Sequence, residues 1–349
     1  MSFAPVLDHT DLVSSDTERV VVCHDRPTGM RAVIAIDDTT LGPGLGGVRW
    51  MPYESEDAAS TEARRLARGM TLKNALATIP YGGAKSVIIR EEPVQDRRAL
   101  MEAFGRFVNR LGGSYVPGVD MGTTVADLAT IHTVAPDVSC DHQDPSPWTA
   151  LGIFSGIVAA VRHTDGTALD GHRVVVQGAG HVGGVLAHYL AAAGAEVIVA
   201  DIDEQRAKML AAKVGGAFTA AGTATGYRCD VFAPCATARM ITPYNIESLG
   251  CRIVAGGAND VLAARHCATL LAERGVTYVP DFLINAGGVI QIHALRSGWD
   301  NAQLRGAVMG IADRVALVLE RAEASGSTPI DVAEEIASER LGRPLTIPA

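Results

Sequence analysis

A glycine fingerprint lies near the middle of the chain, at Gly178-Ala179-Gly180-His181-Val182-Gly183, and its flanking segments match it. The apolar run at residues 173–177 is typical of a buried parallel strand, and residues 185–191 predict a helix. Gly194 ends that helix, and residues 196–200 predict a second strand that stops at Asp201. A bare G-x-G-x-x-G is weak evidence, but this order of strand, fingerprint, helix, strand and acid indicates a Rossmann βαβ unit.

Each part of this unit has a physical role in binding a dinucleotide. Gly178, Gly180 and Gly183 allow the tight turn, the approach of backbone to pyrophosphate and the packing of helix on strand. The helix that begins near Val182 offers backbone N–H groups and partial positive charge to the phosphates. Asp201 is placed to accept hydrogen bonds from ribose hydroxyls and would repel a 2′-phosphate, so the predicted cofactor is NAD rather than NADP.

The position of the fingerprint predicts the domain organisation. At 349 residues, the chain exceeds the size at which a single core usually stops growing. We expect an α/β protein of two domains with a cleft between them. The predicted ranges are an N-terminal α/β substrate and catalytic domain at residues 1–145 and a Rossmann-type NAD-binding domain at residues 146–324, with a C-terminal helix at 325–349 that packs back on the first domain.

Composition excludes several classes of partner. The formal net charge of −9 argues against nucleic acid or an anionic membrane surface as a partner. We find neither a secretory signal nor an apolar stretch of membrane-spanning length. The six cysteines lack C-x-x-C or zinc spacing, so we expect reduced thiols, a cytoplasmic location and no metal site.

The first 145 residues predict a sheet with helices. Residues 20–23 and 30–36 predict a hairpin, residues 41–49 a glycine-rich loop, and residues 56–79 a helix. Further along, strands are expected at 86–89 and 114–119, a helix at 100–111 and a capped helix from Thr124; residues 141–147 are the expected domain boundary. In the second half, apolar runs at 230–233, 252–255 and 277–279 supply further strands, and the chain is helical from Ala307.

Three charged residues of the first domain lie where charge is costly. Lys73 falls on the apolar face of its predicted helix, where it must reach solvent or find an anion. Lys85 stands at the mouth of one predicted strand, and Asp120 ends another. Singly, each could be a solvated or ion-paired side chain, but together with a dinucleotide unit they indicate a catalytic site.

The same residues carry a resemblance to a known family. The chain resembles the glutamate/leucine/valine/phenylalanine dehydrogenases over nearly its whole length, and most closely the leucine, valine and phenylalanine members. The motifs that carry the resemblance occur in the family's order: Gly46-Gly47-Val48-Arg49, Gly69-Met70-Thr71-Leu72-Lys73-Asn74-Ala75, Gly82-Gly83-Ala84-Lys85-Ser86, Asp120-Met121-Gly122-Thr123-Thr124-Val125-Ala126-Asp127 and Pro280-Asp281-Phe282-Leu283-Ile284-Asn285-Ala286-Gly287-Gly288.

The resemblance implies reversible, NAD-dependent oxidative deamination of an L-amino acid to its 2-oxo acid and ammonia. It implies that Lys73 binds the α-carboxylate, Lys85 activates water and Asp120 exchanges protons with the amino group. A lysine that acts as a base must be neutral, and a second ammonium nearby together with desolvation would favour that form. The resemblance also implies a homo-oligomer.

The resemblance extends to further site residues. Thr149 and Asn285 match positions at the nicotinamide end of the cofactor, while Gly46 and Asn259 match positions near the substrate. Asp260, Trp148 and Val48 depart from the usual pattern. An uncharged pocket implies a bulky apolar substrate such as leucine, valine or phenylalanine, and its expected lining is Leu45, Gly118, Val289 and Ile292.

Two other functions are compatible with a dinucleotide fold. The chain could be a nucleotide-sensing homologue without turnover, or a dehydrogenase that acts on a tetrahydrofolate carrier. A nucleotide-sensing homologue without turnover would be expected to have lost catalytic residues, whereas Lys73, Lys85 and Asp120 are all present. The second does not account for the motifs around Lys73 and Asp120.

Overall fold

The computed structural model describes residues 17–91, 96–139 and 144–345. These residues form two compact α/β units. One contains the described residues up to Asp144 and the segment from Ala337 onward, and the other contains Pro145–Ile336.

The first unit is built on a five-stranded mixed sheet. Its strands are β1 (Arg19–Asp25), β2 (Met30–Asp38), β3 (Gly44–Met51), β4 (Gly82–Ile89) and β5 (Tyr115–Val119), in the spatial order β1-β2-β4-β3-β5. The first two strands form the predicted antiparallel hairpin, and β2 is antiparallel to β4. Strand β3 runs parallel to both of its neighbours, β4 and β5. The carboxyl ends of β3, β4 and β5 therefore lie at one edge of the sheet.

Helices cover both faces of this sheet. Helix α1 (Glu56–Leu76) packs its small residues Ala59, Ala63 and Ala67 against Val87 of β4 and its neighbours. Helices α2 (Arg97–Asn109) and α3 (Val125–His132) belong to the larger core on the other face, around Phe104. Thr124 opens α3 with the predicted capping box, in which Asp127 is the reciprocal partner.

The second unit is built on a six-stranded parallel sheet. Its strands are β6 (Arg173–Gln177), β7 (Glu196–Asp201), β8 (Ala217–Ala220), β9 (Val231–Pro234), β10 (Ile253–Val254) and β11 (Thr277–Tyr278). The spatial order is β11-β10-β9-β6-β7-β8. The chain therefore adds strands on one side of β6 first and then on the other side, starting with β9. In an open parallel sheet, this switch point is where the strand ends leave a crevice for ligands. The fold is the α/β class expected from the sequence.

Helices precede, connect and follow the strands of the second unit. They are α4 (Ser146–Asp165), α5 (His181–Ala192), α6 (Glu204–Val214), α7 (Cys267–Glu273), α8 (Asp281–Ile284), α9 (Gly287–Ser297), α10 (Asn301–Met309), α11 (Ile311–Ser325) and α12 (Pro329–Leu341). The last residues of α12, from Ala337, belong to the first unit. Within the described ranges, none of the helices is both long and apolar enough to cross a membrane.

Several local predictions were wrong in detail. Residues 41–49 do not form only a loop, because β3 begins at Gly44 and takes up the rest. Strand β4 starts four residues before the predicted Ser86, so Lys85 lies inside the strand rather than at its mouth. Strand β8 was missed because its residues are largely exposed and carry no apolar alternation.

The boundary between the units differs slightly from the expected ranges. Residues 141–143 of the expected boundary lie outside the described residues, and α4 already begins at Ser146. The second unit extends to Ile336 rather than to residue 324, because Arg265 binds Glu334 (Nη1–Oε1 2.5 Å) on α12. The chain then rejoins the first unit, where Arg343 pairs with Asp38 (Nε–Oδ2 2.8 Å).

Candidate active site

Lys85, inside β4, and Asp120, directly after the end of β5, form a buried ion pair. The Nζ atom of Lys85 contacts Oδ2 of Asp120, and their side chains are 9% and 13% exposed. The register pairs Leu45 with Gly83 and Val48 with Ser86, so Gly47 lies beside Lys85, between the strands that carry the two charges. With no side chain at Gly47, Lys85 can reach across β3 to the carboxylate.

The charges around Asp120 keep it ionised. Burial alone would raise the pKa of this carboxyl, but the positive charges of Lys85 and Arg49 outweigh that cost and lower the pKa to about 2. The backbone N–H of Met121 also donates to Oδ1 at 2.6 Å. Asp120 is therefore a carboxylate throughout the neutral pH range and can accept a proton from a neighbouring group.

A tight turn fixes Asp120 at the end of β5. The Thr123 hydroxyl accepts from the Asp120 N–H (3.0 Å) and donates to the Val48 carbonyl (2.8 Å). The Trp50 N–H donates to the Met121 carbonyl at 2.9 Å. Gly122 has a φ of +82°, and a Cβ atom there would overlap the Trp50 carbonyl, so only glycine fits. The turn is thus anchored on β3 rather than free to move.

Lys73 lies on α1, the helix that covers the sheet face bearing Lys85. It is half-buried, and the next residue, Asn74, is fully buried. Asn74 donates to the Gly82 carbonyl at 2.6 Å and to the Leu45 carbonyl at 3.3 Å. These bonds fix this part of α1 against β3 and β4 and thereby fix the backbone that carries Lys73.

Two of the expected pocket residues lie on the strands beside the ion pair. Leu45 and Gly118 each stand two residues before a central position, Gly47 and Asp120, and alternation along a strand puts them on the same face. Leu45 is buried, and a Cβ atom at Gly118 would lie 3.0 Å from the Ser139 hydroxyl oxygen. The structure thus adds Ser139 as a neighbour of this position.

Gly46 is required by close backbone packing. A Cβ atom there would overlap the Ala84 carbonyl oxygen and would lie 3.3 Å from Cγ of Met70. On β5, the buried Tyr115 hydroxyl donates to the Gly46 carbonyl at 3.1 Å and pairs with the Ser86 hydroxyl at 2.8 Å. The Tyr115 side chain therefore helps to fix Gly46 and Gly47 of β3, and the sequence did not indicate this role for Tyr115.

The fingerprint of the second unit fits a dinucleotide. Gly178 has a φ of +106°, and a Cβ atom at Gly183 would overlap the Gly178 carbonyl, so both positions require glycine. Gly180 N-caps α5, and a Cβ atom there would meet nothing within 4 Å. An uncrowded backbone at a helix N-terminus, beside the switch point of the sheet, is the arrangement that accepts a pyrophosphate.

Asp201 also organises the fingerprint. Its Oδ2 accepts from the Ala179 N–H at 2.7 Å, and its Oδ1 accepts from the Asp203 N–H at 2.8 Å. Arg206 lies nearby, with Nη1 3.8 Å from Asp201 Oδ1. The carboxylate at the end of β7 thus stands beside the glycine turn, where a ribose would lie next to bound phosphates.

Residues that are distant in sequence meet near the fingerprint. A Cβ atom at Gly257 would lie 3.2 Å from Cγ1 of Val182. Asn285 donates to the Gly257 carbonyl at 3.2 Å and to the Asn259 side-chain oxygen at 2.9 Å. The structure thus brings Val182, Asn259 and Asn285, all expected site residues, into one chain of contacts.

The remaining predicted residues lie on two helices of this unit. Thr149 of α4 is next to the start of α9, since a Cβ atom at Gly288 would lie 2.9 Å from its hydroxyl oxygen. Val289 and Ile292 are three residues apart on α9, and both are buried. Spacing of three residues puts them on one face of that helix.

Arg49 and Asn74 belong to the motifs of the family resemblance, but the sequence predicted no role for either residue. Arg49 contacts Asp120 (Nη2–Oδ1 3.5 Å), and Asn74 joins α1 to two strands. The sequence feature that could have identified Arg49 and Asn74 is a charged or amide side chain next to a glycine-rich, strand-forming segment. Ser139 and Tyr115 offered no such signal.

Comparisons with known proteins identify the family of the chain. The family profile described as Glu/Leu/Phe/Val dehydrogenase, dimerisation domain, matches residues 17–136, and that of Glutamate/Leucine/Phenylalanine/Valine dehydrogenase matches residues 199–294. Leucine dehydrogenase of Thermoactinomyces intermedius is 39% identical over 93% of this chain and 91% of its own length. Valine dehydrogenase of Streptomyces virginiae is 37% identical over 93% of both chains.

A solved structure extends this similarity to the fold. The crystal structure of L-tryptophan dehydrogenase from Nostoc punctiforme superposes with a TM-score of 0.83 at 37% identity, covering 94% of this chain and 96% of that one. The fold and these similarities define an oxidoreductase with a dinucleotide-binding unit, an amino acid dehydrogenase that acts on small molecules. The chain belongs to the Glu/Leu/Phe/Val dehydrogenase family, in the branch of the leucine and valine enzymes. The nucleotide-sensing and tetrahydrofolate alternatives find no support in these comparisons.

Proposed function

We propose that the protein catalyses the reversible, NAD-dependent oxidative deamination of a bulky apolar L-amino acid to its 2-oxo acid and ammonia. The observation that carries the proposal is the buried Lys85–Asp120 pair above Gly47, next to the uncharged positions Leu45 and Gly118. Glycine at 47 and 118 leaves room on this face of the sheet. A substrate can therefore approach a proton-transferring pair along an apolar wall.

In this mechanism, Lys85 and Asp120 share the proton transfers. Asp120, held as a carboxylate, takes a proton from the substrate ammonium and later returns one to the departing ammonia. Lys85 orients and polarises the water that attacks the substrate carbon. The pair is already within hydrogen-bonding contact, so a proton can pass between them without a large movement.

Lys73 is the proposed anchor for the substrate α-carboxylate. It follows Leu72 on the helix that Asn74 fixes to β3 and β4, so its backbone is rigid. A carboxylate bound to Lys73 would be held at a fixed height above the sheet. This orientation places the α-carbon and amino group relative to Lys85 and Asp120.

The proposed side-chain pocket is apolar. Its four residues, Leu45, Gly118, Val289 and Ile292, carry no charge, and Ser139 adds one hydroxyl beside Gly118. A side-chain carboxylate such as that of glutamate would remain unpaired there, at a cost of several kcal/mol. Leucine, valine, phenylalanine or a similarly bulky apolar amino acid is the proposed substrate.

NAD is the proposed cofactor, and when bound it supplies the hydride acceptor of the reaction. Gly178, Gly180, Gly183 and Val182 would hold its pyrophosphate, and Asp201 its adenosine ribose. The negative charge of Asp201, which is only 7% exposed, opposes a 2′-phosphate in that place. Thr149 and Asn285 would contact the nicotinamide end, and Asn259, bonded to Asn285, would lie between cofactor and substrate.

The direct test is NADH formation with a panel of L-amino acids. We expect turnover of leucine, valine, phenylalanine or a similar substrate, and little or none of glutamate or aspartate. The reverse reaction should consume NADH only when both ammonia and a 2-oxo acid are present. Faster turnover of glutamate than of every apolar amino acid would contradict the pocket assignment.

We also propose that the protein is a homo-oligomer. The profile that matches residues 17–136 is that of a dimerisation domain, which supports self-association through the first unit. Light scattering coupled to size-exclusion chromatography would measure the mass against the 36.5 kDa of one chain. A monomeric mass at micromolar concentration would contradict this.

A further inference from the structure

Arg49 on β3 is held between two carboxylates. Its Nη1 lies 2.6 Å from Glu62 Oε1 on α1, and its Nη2 lies 3.5 Å from Asp120 Oδ1. The Arg49 side chain is 13% exposed. Arg65 holds the second oxygen of Glu62, with Nε and Nη2 at 3.0 and 2.8 Å from Oε2. Glu62 and Arg65 of α1 therefore fix the Arg49 guanidinium in the position from which it contacts Asp120.

The two oxygens of Asp120 have different partners. Oδ1 accepts from the Met121 N–H at 2.6 Å and faces Arg49. Oδ2 faces Lys85 and lies 3.2 Å from the place where a Gly47 Cβ would stand. Oδ1 is thus fixed by a backbone N–H and by Arg49, whereas Oδ2 contacts Lys85.

We propose that Arg49 is a positioning residue for Asp120, which keeps Oδ1 in place while Oδ2 exchanges protons. The inference rests on the proposed function, in which Asp120 is the acid–base group. In the proposed function, Lys85 exchanges protons with Asp120, so its positive charge beside the carboxylate is not constant during turnover. The guanidinium of Arg49 then supplies the constant positive charge, because arginine does not act as a proton donor in proteins.

Other ionisable groups surround the same carboxylate. Tyr53, which follows β3, lies close to Arg49, Glu62 and Asp120, and burial with the two carboxylates raises its pKa to about 12. Tyr115 on β5 is buried and bonded to Ser86. At neutral pH both phenols are uncharged, so the positive charges from these neighbours that face Asp120 are Lys85 and Arg49.

A purely structural brace between α1 and β3 would make a different prediction. It would change the unfolding temperature but leave kcat of the folded enzyme unchanged. The informative variants are Arg49→Gln, which removes the charge, and Arg49→Lys, which keeps it but loses the forked geometry. Arg98→Gln is the matched control, because Arg98 forms an exposed pair with Glu102 on α2.

The test measures kcat, KM and the pH profile of kcat/KM for each full-length variant. We expect Arg49→Gln to lower kcat by about 10–100-fold, with KM for NAD unchanged, and to move the acid limb up by about 1–3 pH units, since an opposite charge at this distance lowers a carboxyl pKa by that much. Arg49→Lys should restore the acid limb but not the full kcat. Arg98→Gln should resemble the wild type.

The outcomes separate this inference from the proposed function. If Asp120→Asn is inactive but Arg49→Gln keeps the wild-type acid limb and kcat, the role of Arg49 is overturned and the proposed function stands. If Asp120→Asn retains turnover, both are overturned. Should Arg49→Gln fail to fold, Arg49→Lys decides, because wild-type kcat in that variant contradicts positioning by the guanidinium.

Discussion

Gly47 leaves the space that the carboxylate of Asp120 needs. A Cβ atom at position 47 would lie 2.8 Å from Cβ of Asp120 and 3.2 Å from its Oδ2. The distance to Cβ is too short for an alanine to be accepted without movement of Asp120, and the distance to Oδ2 is tighter than an ordinary contact. That turn is anchored on β3 by Thr123 and Trp50, so it cannot move freely.

Gly47→Ala should therefore damage catalysis without harming the nucleotide unit. We expect at least about a 10-fold loss of kcat, because displacement of an acid–base group by a fraction of an ångström disturbs proton transfer. Steady-state kinetics and NAD titration by fluorescence would check both parts. The control is Gly306→Ala on α10, where a Cβ atom would meet nothing within 4 Å. A wild-type kcat in Gly47→Ala would show that a side chain at position 47 does not displace Asp120.

Lys85→Ala should nearly abolish turnover. Loss of a positioned acid–base group costs on the order of 100-fold or more, while NAD affinity should hardly change because the fingerprint lies in the other unit. Kinetic assays and NAD titration on one preparation measure both quantities. Lys213→Ala, at an exposed lysine of α6, is the matched control. Retention of more than about a tenth of the activity would refute the assigned role.

Asp201→Ala should weaken NAD binding and narrow the preference over NADP. The substitution removes the acceptor for the ribose and the repulsion of a 2′-phosphate, and it leaves Arg206 beside the site. The ratio of kcat/KM for the two cofactors is the quantity to compare. Glu204→Ala, at an exposed residue at the start of the following helix α6, should leave that ratio unchanged. Equal use of NAD and NADP by the wild type would remove the basis for this prediction.

Gly118→Ala should shift preference toward smaller side chains. The added methyl group would lie 3.0 Å from the Ser139 hydroxyl, which is itself bonded to the Pro117 carbonyl at 2.8 Å. One methyl group in a pocket changes binding by about 1–3 kcal/mol, or about 10–200-fold in relative kcat/KM. We expect the ratio for valine over phenylalanine to rise. Adding Ser139→Ala should recover part of the loss, and an unchanged ratio in Gly118→Ala would place position 118 outside the pocket.

Asp127→Asn should lower the stability of the first unit at neutral pH. Burial would raise the Asp127 pKa, but hydrogen bonds from Arg97 and Thr124 outweigh it and lower the pKa below its usual value. Because the folded-state pKa is lowered, this stabilisation is complete above the unfolded pKa of about 3.9 and is lost as the pH falls through the folded pKa.

The expected cost of Asp127→Asn is about 0.5–2 kcal/mol, as for the loss of a helix cap. Chemical denaturation at a series of pH values would measure the difference between wild type and variant. That difference should be constant from pH 7 to about 5 and should shrink below about pH 4. A difference that grows toward low pH would contradict the assigned sign.

The sequence alone predicted those parts of the protein whose signals are local. The strand, fingerprint and helix at 173–191 follow from apolar periodicity and glycine spacing, which neighbouring residues determine by themselves. The hairpin at the start of the first unit and the Thr124 capping box were predicted for the same reason. Lys85 and Asp120 stand out in the sequence because charges in or next to strand-forming segments are costly and need a reason, and their catalytic role stays a prediction.

Tertiary structure decided the rest. The segment at 44–51 is rich in glycine, which has little intrinsic preference for strands, and it becomes β3 because β4 and β5 flank it and satisfy its backbone hydrogen bonds. The roles of Arg49 and Asn74 depend on distances between elements that are far apart in sequence. Such distances follow from the packing of helix on sheet, and the periodicity of a single segment does not contain them.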